Sequence, residues 1–137
     1  MIAFDLDGVF VSDLAHQSDQ ELERILSVRA ENIRPLFRLR FPFYIITARP
    51  KVDEEHTLCW INAVFEPNER PKKLFHDNPD HTKPIDYKIS VLREHPEIET
   101  FIESEIEQVT AIAKLVPKCR VLHFEELLAP IFAALVE

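Results

Sequence analysis

The first strand of this chain and the turn after it place two carboxylates beside the only glycine in the sequence. Apolar residues lead into Asp5, Asp7 lies two positions later, and Gly8 follows directly. A chain that uses glycine once is expected to place it where a side chain cannot fit, in a turn with positive φ or against a ligand. The stretch therefore predicts a short buried strand that ends in a tight turn carrying two acids.

The length and composition predict a single globular domain over residues 1–137. The sequence is 46% hydrophobic and 29% charged, which is ordinary for such a domain. No apolar run approaches the ~18–20 residues of a membrane span, so no membrane partner is expected. The net charge of −8 argues against binding nucleic acid through a basic face.

The two cysteines indicate the compartment. Cys59 and Cys119 lie in apolar contexts and neither belongs to a Cys-x-x-Cys pair. That usage favours two buried free thiols in a cytoplasmic protein. No signal peptide is visible, because a charge appears already at Asp5.

Strand-like and helix-like segments alternate along the chain. Strands are predicted at 2–6, 41–47, around 73–76, 100–103 and 119–123. Helices are predicted from a capping box at Ser18, over roughly 52–64 (Leu58, Ile61 and Val64 inward), from Asp86 to about His95, over 105–116 (Ile106, Ile112 and Val116 inward), and at the C-terminus. This alternation predicts a three-layer, Rossmann-like α/β fold, with a central parallel sheet of about five strands and helices on both faces.

Ligands of such sheets bind beyond the carboxyl ends of the strands, where Asp5, Asp7, Thr47 and Glu103 are predicted to lie. Two carboxylates around one tight turn suit Mg²⁺, and an aspartate can attack phosphorus to form an aspartyl-phosphate. The Thr47 hydroxyl and the Lys88 ammonium supply the support that phosphoryl oxygens need. Taken singly, each residue also has an ordinary structural role as a turn, a strand end or a solvated charge.

The motifs are more specific as an ordered set. Phe4-Asp5-Leu6-Asp7-Gly8-Val9 is followed by Ile45-Ile46-Thr47-Ala48-Arg49, by Lys88 near a helix start, and by Phe101-Ile102-Glu103-Ser104-Glu105. This order resembles the haloacid dehalogenase (HAD) superfamily over nearly the whole chain, from Ile2 to about Leu122.

The resemblance implies a Mg²⁺-dependent phosphatase that acts on a phosphorylated substrate. Asp5 would be the nucleophile, and Asp7 the acid that protonates the leaving group and then the base that activates water. Thr47 and Lys88 would hold the phosphoryl group, with Lys83 as the competing lysine.

The metal ligands implied by the resemblance are Asp5, the Asp7 backbone carbonyl and an acid of the fourth motif. Family members usually carry aspartates in that motif, whereas Ser104 fills the first aspartate position here. Glu103 or Glu105 would have to reach the metal with a longer side chain. This departure puts Mg²⁺ binding and activity in doubt, although the fold is unaffected.

The spacing of the motifs leaves no room for a cap domain. The segment between Asp7 and Thr47 is used up by a loop, a helix and a strand, and the loop near 77–84 is short. An open site would admit a large phosphorylated substrate or be covered by a partner subunit, and an open apolar helix face would favour a homo-oligomer.

Two other hypotheses use the same fold. A catalytically weak binding or regulatory module would explain the altered fourth motif at Ser104. A phosphoacceptor receiver domain also combines aspartates, threonine and lysine on a parallel sheet, but it needs an acceptor at the end of the third strand, where only Asp77 is on offer.

Overall fold

The computed structural model describes residues 1–10 and 38–127. The strands and helices, in chain order, are β1 (Ile2–Asp5), β2 (Phe43–Ile46), α1 (Glu54–Val64), β3 (Lys73–Phe75), α2 (Pro84–Glu94), β4 (Thr100–Glu103), α3 (Ile106–Leu115) and β5 (Arg120–His123). Short 3-10 helices cover Lys51–Asp53 and Pro67–Glu69. The helix predicted from Ser18 lies outside the described residues. Of the segment for which a C-terminal helix is predicted, residues 124–127 are described and are helical.

All five strands form one parallel sheet in the order β3-β2-β1-β4-β5. The central strand is β1, whose Ile2 is in register with Phe43 of β2 on one side and with Thr100 of β4 on the other. Parallel neighbours need crossover connections. In the described residues α1 joins β2 to β3, α2 joins β3 to β4, and α3 joins β4 to β5, whereas most of the β1–β2 connection lies outside them. The predicted Rossmann-like α/β fold is confirmed.

The sheet separates two apolar cores, one on each face. One core joins alternate strand residues to α2 and α3, and it includes Ala3, Tyr44, Ile46, Ile89, Leu92, Phe101 and Ile112. The other joins the intervening strand residues to α1, and it includes Phe4, Phe43, Ile45, Trp60, Ile61, Phe65 and Ile102. Because successive strand side chains point to opposite faces, both faces are buried and the domain has three layers.

Phe10 packs the turn after β1 against the core that contains Phe4 and Phe43. Its backbone N–H donates to the Leu6 carbonyl at 3.0 Å. Its ring stacks on Phe43 at 5.6 Å between centroids and meets Phe4 edge-on at 5.5 Å. Gly8 lies inside this turn with a φ of 82°, which confirms the positive φ predicted for it.

Several predicted inward positions are wrong. Leu58 and Ile106 are 37% and 66% exposed, and Cys59 is exposed as well. In α1 the prediction for Ile61 is confirmed, and Trp60, not Leu58, is buried beside it against the sheet. Ile106 is the first residue of α3, where the helix is only beginning to cover the sheet.

Residues 76–83 connect β3 to α2 without an inserted domain, as predicted, whereas most of the segment between Asp7 and Thr47 lies outside the described residues.

Within 1–10 and 38–127, every helix is too short or too polar to cross a membrane.

Replacing Gly8 by alanine is expected to lower the free energy of unfolding by about 1–2 kcal/mol, because a Cβ atom clashes with the backbone at positive φ. Gly8→Asn should cost less, since asparagine tolerates this region better. Urea unfolding of the two variants and the parent protein measures both differences. An alanine variant as stable as the parent would contradict the backbone argument.

Candidate functional site

The predicted site residues gather where the strand order reverses. Asp5 ends β1 and Glu103 ends β4, and these strands are neighbours at the centre of the sheet. The chain leaves β1 toward β2 on one side and returns from β3 to β4 on the other. Such a switch point opens a crevice beyond the carboxyl ends of the two strands, where ligands of α/β sheets bind.

Asp5 is buried and has one oxygen turned to the protein backbone and one to other side chains. Its Oδ1 accepts a hydrogen bond from the Leu6 N–H at 2.9 Å. Its Oδ2 lies 3.3 Å from the Lys88 Nζ and 3.4 Å from the Ser104 Oγ. Burial, reinforced by the neighbouring Glu103 carboxylate, raises the pKa of Asp5 well above its ordinary value although Lys88 opposes the shift.

Lys88 reaches the crevice from α2 and joins three acceptors. Its Nζ donates to Oε2 of Glu103 at 2.7 Å and to Oε1 of Gln108 at 2.9 Å, besides its contact with Asp5. Burial alone would lower the pKa of this lysine, but the Asp5 and Glu103 carboxylates raise it. We call Asp5, Lys88, Glu103, Ser104 and Gln108 the Lys88 cluster. The competing lysine, Lys83, is exposed at the start of α2.

Glu103 is fully buried with both oxygens engaged. Oε2 accepts from Lys88, while Oε1 accepts from the backbone N–H of Ser104 at 3.0 Å. Burial would raise the pKa of Glu103, but the Lys88 ammonium and the hydrogen bonds with Lys88, Asp5 and the Ser104 backbone together outweigh it, and the pKa is lowered. The structure therefore places this predicted metal ligand against Lys88.

Ser104 directly follows β4, and its side chain contacts the end of β1 and the turn that carries Asp7. Its Oγ is 3.1 Å from the backbone carbonyl oxygen of Asp7 and 3.4 Å from Oδ2 of Asp5. The Ser104 carbonyl oxygen accepts a hydrogen bond from Nε2 of His123 at 2.7 Å, which ties the segment to β5. The residue at the first aspartate position of the fourth motif thus contacts two of the oxygens that the HAD resemblance assigns to the metal.

Asp7 is held by a cation that the sequence interpretation assigned no role. Nε of Arg49 donates to Oδ2 of Asp7 at 2.8 Å, and Nη2 donates to Oδ1. Both side chains are buried, so this is a bidentate ion pair shielded from water. The desolvated Arg49 nevertheless has a raised pKa, because the Asp7 carboxylate stabilises its charge.

The turn after β2 aims Arg49 at Asp7. Nη1 of Arg49 donates to the Thr57 hydroxyl at 3.0 Å, and the Asn78 side chain donates to the Ala48 carbonyl at 2.8 Å. The sequence contained one signal for Arg49. It is the first cation after the predicted strand 41–47, whose end was expected at the same sheet edge as Asp5 and Asp7. A buried carboxylate needs a cation as its partner.

Thr47 and Glu105 contact other groups than Asp5. The Thr47 hydroxyl, buried at the end of β2, accepts a hydrogen bond from the Arg49 N–H at 3.3 Å. Glu105 is exposed, and its Oε2 accepts from Nε2 of Gln108 at 2.8 Å. Their predicted roles in binding phosphate and metal stay predictions.

Two oxygen–oxygen distances around Ser104 bear on whether the site could hold Mg²⁺. An octahedral Mg²⁺ with ligands at about 2.1 Å places adjacent oxygens about 3.0 Å apart. The Ser104 Oγ lies at 3.1 and 3.4 Å from the Asp7 carbonyl oxygen and Asp5 Oδ2. Only one of these three donors is a carboxylate, and the described residues contain no group of three or more His, Cys, Asp or Glu side chains arranged to hold a metal.

No family model, curated protein or solved structure gave a significant match to this chain.

Arg49→Met should lower the free energy of unfolding by about 3–5 kcal/mol, because it leaves the buried Asp7 carboxylate without its partner. Arg38→Met is the matched control. Arg38 pairs with Glu69 at the exposed surface, where such a pair contributes less than about 1 kcal/mol. Urea unfolding compares the two, and equal losses would show that the Asp7 pair is no more important than a surface contact.

Proposed function

We propose that this protein is a Mg²⁺-dependent phosphatase that works through an aspartyl-phosphate on Asp5. The observation that carries the proposal is the position of the Asp5 carboxylate at the switch point, where its Oδ2 lies 3.3 Å from Nζ of the buried Lys88. A nucleophile for phosphorus needs a nearby cation to offset charge on the phosphoryl oxygens. The ordered motifs that resemble the HAD superfamily support the same reaction.

In the proposed first step, an Asp5 oxygen attacks phosphorus while the bond from phosphorus to the leaving oxygen breaks. Asp7, which must carry a proton at this stage, gives it to that leaving oxygen. Water then attacks phosphorus, the bond between phosphorus and the Asp5 oxygen breaks, and Asp7 takes a proton from the water. Inorganic phosphate leaves, and the Asp5 carboxylate and the protonated Asp7 are regenerated. Because Arg49 holds both Asp7 oxygens, Asp7 must loosen that pair before it carries a proton.

Mg²⁺ bound by Asp5, the Asp7 carbonyl and the Ser104 hydroxyl would draw charge from the phosphoryl oxygens. Glu103 and Glu105, the other predicted ligands, would have to exchange their present partners, Lys88 and Gln108, to reach it.

A binding or regulatory module is the second candidate. The bidentate Arg49–Asp7 pair favours it, because a general acid locked to a guanidinium is poorly placed to donate a proton. The receiver alternative gains less support, since Asp77 has an 82% exposed side chain beside an edge strand.

The phosphatase proposal predicts Mg²⁺-dependent release of phosphate from a panel of phosphomonoesters, abolished by EDTA. In Asp5→Asn the release should fall to the uncatalysed background, because an amide cannot act as the nucleophile. Turnover that persists in this variant would rule out the mechanism. No turnover by folded parent protein at high Mg²⁺ would favour the binding module.

The two candidate lysines predict opposite outcomes. Lys88→Met should lower kcat/KM on the order of 100-fold or more, because the cation beside Asp5 is lost. Lys83→Met, an identical change at an exposed position, should leave turnover nearly unchanged. Circular dichroism confirms folding of each variant, and a loss confined to Lys83→Met would reverse the assignment.

A further inference from the structure

An open cavity lies between the C-terminal ends of α2 and α3, at the end of the sheet opposite to the Lys88 cluster. Its walls include Ile98, two residues before β4, and Cys119, directly before β5, so the cavity lies at the amino ends of these strands. The Lys88 cluster lies beyond the carboxyl ends, about 13 Å away along a strand of four residues. The cavity is therefore separate from the site described above.

The cavity has the size and the lining of a small-molecule site. Its volume is about 330 Å³, within the range of roughly 300–1,000 Å³ that is typical of ligand pockets. Seven of the nine residues that line it are apolar, including Leu92, Ile98, Leu115, Val116 and Cys119. Burial raises the pKa of the Cys119 thiol to about 11, so at neutral pH the thiol is an uncharged part of the wall. A ligand that fills this space needs an apolar body.

The two charged residues that line the cavity are both cations, Arg93 and Lys118. The chain as a whole carries a net charge of −8, so this lining reverses the overall sign of its charge. Hydrogen bonds from arginine and lysine to a carboxylate are among the stronger ones, since both partners are charged. Charge complementarity therefore favours an anionic ligand over a cationic one of the same shape.

A contact between the two helices fixes Arg93 at the cavity. Its Nη2 donates to the carbonyl oxygen of Leu115 at 3.0 Å, which caps the end of α3. A guanidinium has five N–H donors, so this bond leaves others for a ligand. Because the side chain is already held, less of its freedom is lost when a carboxylate binds.

We propose that this cavity binds a small organic carboxylate with an apolar body, such as a medium-chain fatty acid or an aromatic acid. The apolar body packs against Leu92, Ile98 and Leu115, and the carboxylate accepts hydrogen bonds from Arg93 and Lys118. The inference does not rest on the proposed phosphatase reaction, because it uses none of the residues at the carboxyl edge of the sheet. The opposite view is that Arg93 only caps α3 and that water fills the space between the helix ends.

Titration of the whole chain with sodium octanoate, followed by ¹H–¹⁵N NMR, tests the site. Octanoate should shift the amide signals of Leu92, Leu115 and Cys119 with a dissociation constant below about 1 mM. Octylammonium has the same alkyl chain and the opposite charge, and it should bind at least about tenfold more weakly. No shift of these signals at millimolar octanoate, or equal affinity for the two probes, would overturn the proposal. Shifts spread over exposed apolar residues elsewhere, such as Phe41 and Val52, would indicate detergent-like adsorption and would also overturn it.

Leu115→Glu tests the apolar wall. Leu115 and Ile106 lie at opposite ends of α3 and are 49% and 66% exposed, so folding is expected to tolerate a glutamate at either position. Leu115→Glu should abolish octanoate binding, because it places a carboxylate at the cavity, whereas Ile106→Glu should leave the affinity unchanged. Circular dichroism confirms folding of both variants. An equal loss in both would show that net charge governs binding and that the cavity does not.

Lys118→Met tests the charge at the cavity without altering a buried residue. It should weaken octanoate binding about twofold to fivefold, the loss expected for a partly exposed ion pair. Lys114→Met is the matched control, because Lys114 lies on the last turn of α3 but does not line the cavity. An unchanged affinity in Lys118→Met, or an equal loss in both variants, would overturn the assignment of a carboxylate. Phosphate release, measured on the same proteins, reports on the proposed function separately, so a failure of either proposal is distinguishable.

Discussion

Burial of charge at the carboxyl edge of the sheet is the constraint on which the site depends. Three carboxylates, those of Asp5, Asp7 and Glu103, are almost completely removed from water there. Each would be costly without a partner, and Arg49 and Lys88 supply the cations. Two cations therefore serve three carboxylates. Lys88 contacts the carboxylates of Asp5 and Glu103, and Arg49 donates through two of its nitrogens to the carboxylate of Asp7.

The fold holds these charges in place through its apolar cores. The turn that carries Asp7 is closed by backbone hydrogen bonds to the Leu6 carbonyl, and it is held by Phe10 packing against Phe43 and by the positive φ of Gly8. Lys88 is delivered by the helix whose neighbouring Ile89 packs in the other core. Apolar burial on both faces of the sheet thus offsets the cost of assembling charge at its edge.

The parts of this arrangement that depend on local pattern could be predicted from the sequence. Strand ends follow from short apolar runs that stop at polar residues, so Asp5, Thr47 and Glu103 fell at the correct edge. The burial of Leu58 and Ile106 was predicted wrongly. The spacing of apolar residues identifies the inward face of a helix but not which of its turns packs against the sheet.

Pairing between distant residues was beyond sequence reasoning. Gln108 and Arg49 acquire their partners only when α3 and the turn after β2 reach the same crevice. No spacing rule links Arg49 to Asp7, since the two residues are brought together by strand order and not by a local motif. The sequence did show the departure at residue 104, because a serine at the first aspartate position of the fourth motif is visible without knowledge of its contacts.

The same partners impose a cost on any ligand that enters. In the reaction that we propose, a phosphate group that approaches Asp5 must compete with that carboxylate for the Lys88 ammonium, and a proton on Asp7 must weaken its bond to Arg49. Breaking buried pairs is expensive, so part of the binding energy of the ligand is spent on exchanging partners. We therefore propose that the balance of charge at this edge, more than the identity of any single acid, determines whether the site turns over a substrate or only binds one.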